Sequence, residues 1–261
     1  MGINVKDKVT IITGSAGLIG SAFADAFAAH EAIVIIADVS DEAGIEKAKE
    51  LTDKGYRAYF YHFDQTDYDC VYDVFAKVKE RFGRIDILMN NAGVNIPNKY
   101  RKVIKDYYDE KFEWVLDVDL NGLVRCCKAV LPYMLEQGGG CIINTSSVNS
   151  DVPMRNQCGF PAAKSAVNGI TRALACEYGD KGIRVNAIAP GSTPLENGAW
   201  KGFMTSEQDK AICEHISMGR QAVKEEMAGT ALWLASDELS GYVTGQIIKV
   251  DGGWNVGINF D

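Results

Sequence analysis

The feature of this sequence that most constrains its fold is the regular alternation of short β-branched runs with longer amphipathic stretches. The short runs are apolar at nearly every position, which is typical of strands buried on both faces of a sheet. We therefore predict an α/β fold, doubly wound around a parallel sheet. The predicted strands are Val9 to Thr13, Ile33 to Ala37, Ala58 to His62, Ile85 to Met89, Cys141 to Thr145, Arg184 to Ile188 and Ile247 to Val250. The predicted helices are Leu18 to His30, Asp41 to Lys54, Tyr68 to Phe82, Lys111 to Leu135, Gly159 to Tyr178 and Val223 to Ala235.

The length of 261 residues allows one large α/β domain or two small ones. No linker rich in proline or serine divides the chain, so we predict a single domain over residues 1–261. Two irregular stretches, 95–108 and 194–217, follow predicted strands at the edge where open parallel sheets bind ligands. We predict that 194–217 is a substrate-binding connection or lid, with Trp200, Phe203 and Met204 as either a packed helix face or the roof of a pocket.

Basic residues are concentrated in the first of these stretches, as Lys99, Arg101, Lys102 and Lys105. They fit a solvated helix face, which we favour, or an anion-binding role.

The charge balance limits the class of partner. Thirty-five acidic residues against 27 basic ones give a net charge of −8, which repels a phosphate backbone, so we expect a small-molecule ligand and no nucleic acid. Apolar runs are only strand-sized, so no membrane partner and a cytoplasmic location are expected. Seven cysteines without a CxxC motif indicate free thiols, and three scattered histidines give no metal site.

A glycine-rich loop, Thr13 to Gly20, follows the first predicted strand and opens a helix. Glycines there let backbone N–H groups and a helix N-terminus approach a pyrophosphate. Asp38, eighteen residues beyond Gly20, ends the second strand, where its carboxylate can bind a ribose 2′-hydroxyl and would repel a 2′-phosphate. No basic residue lies in the loop or beside Asp38, so NAD is the predicted cofactor rather than NADP. The alternative for Asp38 is a helix-capping role ahead of Asp41.

Three further strand ends carry candidate cofactor contacts. Asp64 could hold an adenine edge, and Asn91, Ala92 and Gly93 could pin their strand against the cofactor, although they could also form only a turn. Thr193 lies in a Pro-Gly-Ser-Thr sequence on the side where a nicotinamide would lie. The cofactor-binding residues predicted from these segments are Gly14, Ser15, Gly17, Leu18, Ile19, Gly20, Asp38, Val39, Asp64, Gln65, Asn91, Ala92, Gly93, Pro190, Gly191 and Thr193.

From end to end, these motifs resemble the short-chain dehydrogenase/reductase family. The segments that carry the resemblance are TGSAGLIG, Asp38, Asp64, NNAG, INTSS, Lys164, RVNAIAPG, LASD and TGQIIKVDGG. The resemblance implies a Rossmann-type sheet in the strand order 3-2-1-4-5-6-7, with helices on both faces and assembly as a homotetramer or homodimer. It also implies an NAD-linked oxidoreductase that interconverts a secondary alcohol and a ketone, of sugar acid, polyol or hydroxysteroid type.

The resemblance assigns Ser147 to substrate binding and Lys164 to the nicotinamide ribose, and Asn149, at the same strand end as Ser147, is a further substrate-binding candidate. It places a tyrosine, the general acid/base, four residues before that lysine, and this chain has Phe160 there, thirteen residues after Ser147. A lysine cation lowers the pKa of a neighbouring phenol, and phenylalanine offers no phenol. A positioned general acid/base raises the rate by a factor of about 10² to 10⁴, so we predict that the chain binds NAD and substrate with little turnover.

Two explanations for Phe160 remain. It was introduced or arose in an otherwise complete enzyme, which we favour because Ser147, Lys164, Asp38 and the glycines are present, or the chain is a catalytically silent NAD-binding protein.

Three other positions depart from the family pattern. Glycines at 14, 17 and 20 have the spacing of the extended branch, which includes epimerases and dehydratases, whereas the length and the VDGG ending resemble the classical branch. Asp119 stands where the family has an asparagine of a proton relay, and could instead be a structural contact. Leu195 replaces a threonine, which makes Thr193 the candidate for a carboxamide contact.

Overall fold

The computed structural model describes residues 2–194 and 206–257. Seven parallel strands form one sheet in the order β3-β2-β1-β4-β5-β6-β7, as the family resemblance implies. The strands are β1 (Val9–Thr13), β2 (Ile33–Asp38), β3 (Arg57–His62), β4 (Ile87–Asn90), β5 (Gly140–Thr145), β6 (Ile183–Pro190) and β7 (Ile247–Val250). Strands β2 and β3 are added on one side of β1, and strands β4 to β7 on the other. This change in strand order places a ligand crevice at the carboxyl ends of β1 and β4.

Helices cover both faces of this sheet. They are α1 (Leu18–Ala29), α2 (Asp41–Asp53), α3 (Tyr68–Phe82), α4 (Asp109–Leu116), α5 (Leu123–Glu136), α6 (Gly159–Tyr178), α7 (Ser206–His215), α8 (Glu225–Ala235) and the short α9 (Asp237–Ser240). On one face Phe23 and Phe27 of α1 pack with Met227 of α8. On the other, Phe75 of α3 packs with residues of α5 and α6 such as Val130 and Val167. Among the described residues no helix is long and apolar enough to cross a bilayer.

Local sequence explains where individual elements begin and end. Asp67 caps α3 because its side chain accepts hydrogen bonds from the N–H groups of Asp69 and Cys70. Gly83 ends the same helix at a φ of 76°, a left-handed conformation that glycine adopts without strain. Strand β4 begins at Ile87 rather than at the predicted Ile85, since Asp86 turns its carboxylate onto the N–H of Val9.

The predicted helix from Lys111 to Leu135 is not one regular helix. α4 and α5 are joined by a π-helical segment, Asp117–Gly122, in which the backbone turns more widely than in an α-helix. The wide turn lies beside the carboxyl ends of the strands and carries Asp119, which is only 1% exposed. The spacing of apolar residues is the same for an α-helix with and without one such wide turn. The periodicity of the sequence therefore predicts a regular helix here.

The irregular stretch 95–108 contains two short 3₁₀ turns, Asn98–Tyr100 and Ile104–Asp106. Lys99, Lys102 and Lys105 are exposed, but they do not share a helix face as we expected, and Arg101 is half-buried. In the late connection α7 follows residues 195–205. Leu195, Trp200, Phe203 and Met204 lie outside the described residues, so the predicted lid and apolar cluster stay predictions.

Candidate active site

The glycine-rich loop connects β1 to α1 at the carboxyl edge of the sheet. Gly14 has a φ of 63°, and a Cβ there would lie 2.7 Å from the Cα of Ala92. Gly17 is the N-cap of α1, with no side chain to occupy the space in front of the helix. A Cβ on Gly20 would clash with the carbonyl of Gly14. The three glycines therefore keep the helix N-terminus open and close to the neighbouring backbone, the geometry in which such termini bind phosphate.

Asp38 ends β2 with its carboxylate turned toward this loop. Oδ2 accepts a hydrogen bond from the N–H of Ala16 at 2.8 Å, and Oδ1 accepts one from the N–H of Ser40 at 3.0 Å. Ser40, not Asp38, is the N-cap of α2, and Asp38 accepts from its N–H, which lies before the first helical residue. Each carboxylate oxygen has further lone pairs, which leaves capacity to accept from a ribose hydroxyl. Val39 beside it is 62% exposed.

The loop after β4 is tied to the glycine loop rather than being only a turn. The side-chain amide of Asn91 donates to the carbonyls of Thr13 and Gly14, at 3.0 and 3.1 Å. The hydroxyl of Thr13 accepts from the N–H groups of Asn91 and Ala92, both at 3.0 Å. Sequence reasoning did not single out Thr13, although its position as the last residue of β1 was a usable signal.

Asp64 and Gln65 behave differently from each other. Asp64 is half-buried and uses Oδ1 to accept from the N–H and hydroxyl of Thr66. The buried amide of Gln65 donates to the carbonyls of Ala92 and Val118, so it joins the loop after β4 to the π-helical segment. Its donors are thus used within the protein, where they position the two segments, and the predicted cofactor contact stays a prediction.

Ser147 and Asn149 follow β5. Ser147 is 8% exposed, and its hydroxyl accepts from the N–H of Asn149 at 3.2 Å, which leaves its proton available to another acceptor. Asn149 uses its side-chain oxygen to accept from the N–H of Met154. Neighbouring Ser146 donates to the carbonyl of Lys164 at 3.2 Å, a structural contact.

Lys164 and Phe160 lie one turn apart on α6. The ammonium of Lys164 is 5.6 Å from the centre of the Phe160 ring and donates to the carbonyl of Thr145 at 3.0 Å. The ring packs with Ile96, Val115 and Ala163 in a small apolar cluster. The structure thus brings Lys164 and Phe160 together with the end of β5, where Ser147 follows.

A carboxylate also meets this lysine. Oδ2 of Asp119 lies 3.1 Å from Nζ of Lys164, and both side chains are at most 5% exposed. Oδ1 accepts from the N–H of Val94 at 2.7 Å. Burial raises the pKa of Asp119, while the charge of Lys164 and the hydrogen bond from Val94 act in the opposite direction. A Cβ on Gly93 would approach both charged groups, at 3.1 and 3.2 Å, so glycine gives the ion pair its space.

Pro190 ends β6, Gly191 and Thr193 follow it, and we predicted all three for the nicotinamide side of the site. Gly191 donates to the carbonyl of Val250, and a Cβ there would lie 2.6 Å from the Cα of Asp251. Within residues 2–194 and 206–257, the buried hydroxyls of Thr193 and Ser15 have no hydrogen-bonding partner. Such orphaned groups at the two ends of the crevice, together with the open helix N-terminus, fit a dinucleotide.

Tyr107 was not predicted as a site residue, yet it lies beside α6, with Arg101 near it. A Cβ on Gly159, next to Phe160, would lie 3.3 Å from the Tyr107 hydroxyl. Burial lowers the pKa of Arg101 and raises that of Tyr107, and the charge of Arg101 acts on Tyr107. Arg101 is thus half-buried near Tyr107, and its anion-binding role, the less favoured alternative from the sequence, stays a prediction.

Other candidate groups are dispersed. All seven cysteines lie in the described residues and are free, and Cys126 and Cys127 are buried in α5. The three histidines are apart: His30 is the C-cap of α1, His62 ends β3 and His215 ends α7, and their rings contact the Ala26 carbonyl, Asp41 and Trp254 respectively. A cavity of about 710 Å³ lies at the opposite edge of the sheet, near Arg84, Asp86 and Arg184, and no predicted site residue lines it.

Comparison with known proteins assigns this architecture. A family model described as enoyl-(acyl carrier protein) reductase matches residues 14–255. The chain belongs to the short-chain dehydrogenase/reductase family. It is 37% identical over 247 residues to a meso-2,3-butanediol dehydrogenase of Serratia marcescens, covering 95% of this chain and 94% of that protein. A 3alpha-hydroxysteroid dehydrogenase of Mediterraneibacter gnavus is 37% identical over 252 residues, covering 95% and 97%.

A solved structure of this family has the same fold. The gluconate 5-dehydrogenase of Burkholderia cenocepacia, crystallised with NADP and tartrate, superposes with a TM-score of 0.91 at 29% identity, covering 98% of each chain. As a short-chain dehydrogenase/reductase with a Rossmann sheet, this protein is an oxidoreductase that takes a nicotinamide cofactor. Because that neighbour holds NADP, family membership leaves the choice of coenzyme to the residues around the adenosine ribose.

Proposed function

We propose that this chain binds NAD(H) in preference to NADP(H), together with a secondary alcohol or ketone, and that Phe160 leaves it with little turnover. The observation that carries the proposal is the apolar ring of Phe160 beside the buried Lys164. In the family a phenol at this position exchanges the proton that alcohol oxidation releases and ketone reduction consumes. Sugar acids, polyols and hydroxysteroids are the substrate classes that we expect. The relatives named above act on a diol, a steroid alcohol and a sugar acid, which supports this range.

The coenzyme preference rests on charge. The carboxylate of Asp38 lies against the glycine loop, where it would accept from ribose hydroxyls and repel a 2′-phosphate. The phosphate-binding loop, residues 13–20, contains no lysine or arginine to neutralise that phosphate. The exposed Val39 offers none either.

The remaining residues have separate tasks. Gly14, Ser15, Gly17, Leu18, Ile19 and Gly20 hold the pyrophosphate, and Asp64 faces the adenine. Asn91, Ala92 and Gly93 fix the strand end, Lys164 binds the nicotinamide ribose, and Pro190, Gly191 and Thr193 orient the carboxamide. The bound coenzyme supplies the hydride acceptor or donor. Ser147 donates its hydroxyl proton to the substrate oxygen, with Asn149 beside it, and Phe160 excludes water while transferring no proton.

The test is a Phe160→Tyr variant assayed with a panel of secondary alcohols, alongside the chain as given. The panel is run near pH 7 and near pH 10, because an unassisted phenol ionises at about 10. We expect the parent to bind NADH and to turn over slowly, and the variant to reduce NAD at about 10² to 10⁴ times the parent rate for at least one substrate.

The alternative is a catalytically silent NAD-binding protein. It predicts NADH binding by both proteins with no reduction of NAD by the variant at either pH, and that result would contradict the enzyme proposal. An epimerase or dehydratase of the extended branch predicts tightly retained NAD without net consumption of coenzyme. The glycine spacing at 14, 17 and 20 is the observation that keeps this candidate.

A further inference from the structure

Two departures from the family pattern meet in space. Phe160 and Asp119 lie on different elements, α6 and the π-helical segment, and are 41 residues apart in sequence. Lys164 stands between them, 3.1 Å from the Asp119 carboxylate and 5.6 Å from the centre of the Phe160 ring. The phenol that would share this cation is missing, and a carboxylate is present where a neutral amide would be expected.

A buried ammonium requires a counter-charge or several hydrogen bonds. Thr145 supplies one carbonyl at 3.0 Å, and Phe160 supplies no hydrogen-bond acceptor. Asp119 supplies a counter-charge, because its Oδ2 lies 3.1 Å from Nζ while Oδ1 is held by the N–H of Val94. Gly93 leaves room for both groups.

We propose that Asp119 is the counter-charge that Lys164 needs when residue 160 is an apolar ring. Residues 119 and 160 then form a matched pair, in which the carboxylate accompanies the phenylalanine. Lys164 can stabilise the ionised form of a phenol at position 160 only when residue 119 is uncharged. The proposal deepens the proposed function and rests on it for its catalytic meaning. Asp119 is a positioning residue, since it acts through Lys164.

The electrostatics give the proposal its measurable form. A cation within about 4 to 6 Å lowers the pKa of an acid by about 1 to 3. An anion in contact with that cation cancels most of the effect at a third group nearby. Among the described residues, the other titratable or charged groups around position 160 are Tyr100, Tyr107 and Arg101 from the stretch after β4 and Cys158, the N-cap of α6. They are the same in every variant below, so differences report on residue 119.

The experiment follows the ionisation of the new tyrosine directly. Phe160→Tyr is made alone, with Asp119→Asn and with Asp117→Asn, and the near-ultraviolet absorbance of tyrosinate is titrated against the matching Phe160 protein. Asp117 is the matched control, because its carboxylate lies on the same π-helical segment but pairs with Arg125 at 2.7 Å. The measurement needs neither coenzyme nor substrate.

With Phe160→Tyr alone and with the Asp117→Asn control, we expect a tyrosine pKa at or above its ordinary value of about 10. With Asp119→Asn, we expect it to fall by about 1 to 3. Equal pKa values with and without Asp119→Asn would overturn the proposal, as would a low value in the single variant. Asp119→Ser, which keeps an acceptor for the Val94 N–H, provides the same comparison should the asparagine variant fail to fold.

Activity separates the two proposals. Near pH 7 we expect the Phe160→Tyr/Asp119→Asn protein to oxidise alcohols at least about tenfold faster than Phe160→Tyr, in proportion to the ionised fraction. If the absorbance titration shifts as expected but neither protein reduces NAD at any pH, the enzyme proposal fails while the matched pair stands.

Discussion

The backbone N–H of Ala16 donates to Oδ2 of Asp38 across 2.8 Å, joining the phosphate-binding loop to the end of β2. The carboxylate that selects the coenzyme in our proposal therefore also holds the loop that would bind its pyrophosphate. Substitutions at Asp38 act on both properties, so affinity for the two coenzymes has to be compared as a ratio.

Coenzyme choice gives the first prediction. We expect the parent to bind NADH at least about tenfold more tightly than NADPH, a difference of about 1.4 kcal/mol. Asp38→Ser combined with Val39→Arg should reverse the ratio, since it removes the repelling charge and adds a guanidinium that can hold a 2′-phosphate. Fluorescence titration of each reduced coenzyme measures both constants.

Asp41→Ser is the control for this pair of changes. Its carboxylate lies on the same side of the sheet but faces His62 at 2.7 Å. The ratio should stay unchanged in that variant. A parent that binds both coenzymes equally would refute the role that we assign to Asp38.

Packing in the glycine loop gives the second prediction. A Cβ on Gly20 would meet the carbonyl of Gly14 and lie 2.7 Å from the amide nitrogen of Asn91. We expect Gly20→Ala to cost about 1 to 3 kcal/mol of unfolding free energy and to weaken NADH binding. Gly169→Ala on α6, where a Cβ meets no atom within 4 Å, should instead stabilise the protein by about 0.5 to 1 kcal/mol. Denaturant unfolding distinguishes the two outcomes.

Recognition of an anionic substrate gives the third prediction. Arg101 is half-buried beside Tyr107, whereas Lys102 next to it is exposed. If the substrate carries a carboxylate, Arg101→Gln should weaken binding of tartrate by about tenfold or more, since hydrogen bonds to charged groups are worth about 1.5 to 3 kcal/mol. Binding of threitol, which has the same carbon skeleton without the carboxylates, should not change.

Both ligands are measured by calorimetry in the presence of saturating NADH. Lys102→Gln should leave both affinities as in the parent. If Arg101→Gln lowered the affinities for tartrate and threitol equally, Arg101 would shape the pocket without recognising the charge of the ligand.

Thiol reactivity gives the fourth prediction. Burial raises the pKa of Cys127 to about 12 and that of Cys141 to about 11, and it raises that of Cys126 well above its ordinary value. The thiolate is the reactive form, so these three thiols should resist a thiol reagent near pH 8 until the protein unfolds. The exposed Cys176 should react at once. Cys176→Ser should remove that fast phase alone, and mass spectrometry of the labelled peptides identifies each site.

The sheet could be predicted because its strands are β-branched runs that differ in period from the helices beside them. Val9–Thr13 and Ile247–Val250 coincide with the predicted bounds. The π-helical turn at Asp117–Gly122 could not be predicted in this way, because one wide turn depends on what packs against it. The sequence placed Asp119 at a family position, but only the fold shows that its partner is Lys164.

The residues of the candidate site also differ in whether local sequence or tertiary packing determines their role. Glycines, Asp38 and Asn91 are recognisable because their backbone or side-chain role depends on local geometry at a strand end. Arg101 and Tyr107 belong to an irregular stretch whose path depends on contacts with α6, so their burial could not be inferred from neighbours in sequence. The hydrogen bonds of Gln65 could not be inferred either, since its partners Ala92 and Val118 are remote in the chain.

The hydrogen bond between Asn91 and Thr13 spans 78 positions of the chain, because β1 pairs with β4 while α1, β2, α2, β3 and α3 intervene. During synthesis β1 can pair with β2 as soon as both have left the ribosome. The glycine loop acquires its final shape only after β4 and the residues that follow it have emerged. A nascent chain that ends before residue 91 therefore holds the first βα units without a formed coenzyme site, and coenzyme cannot assist its folding until that point.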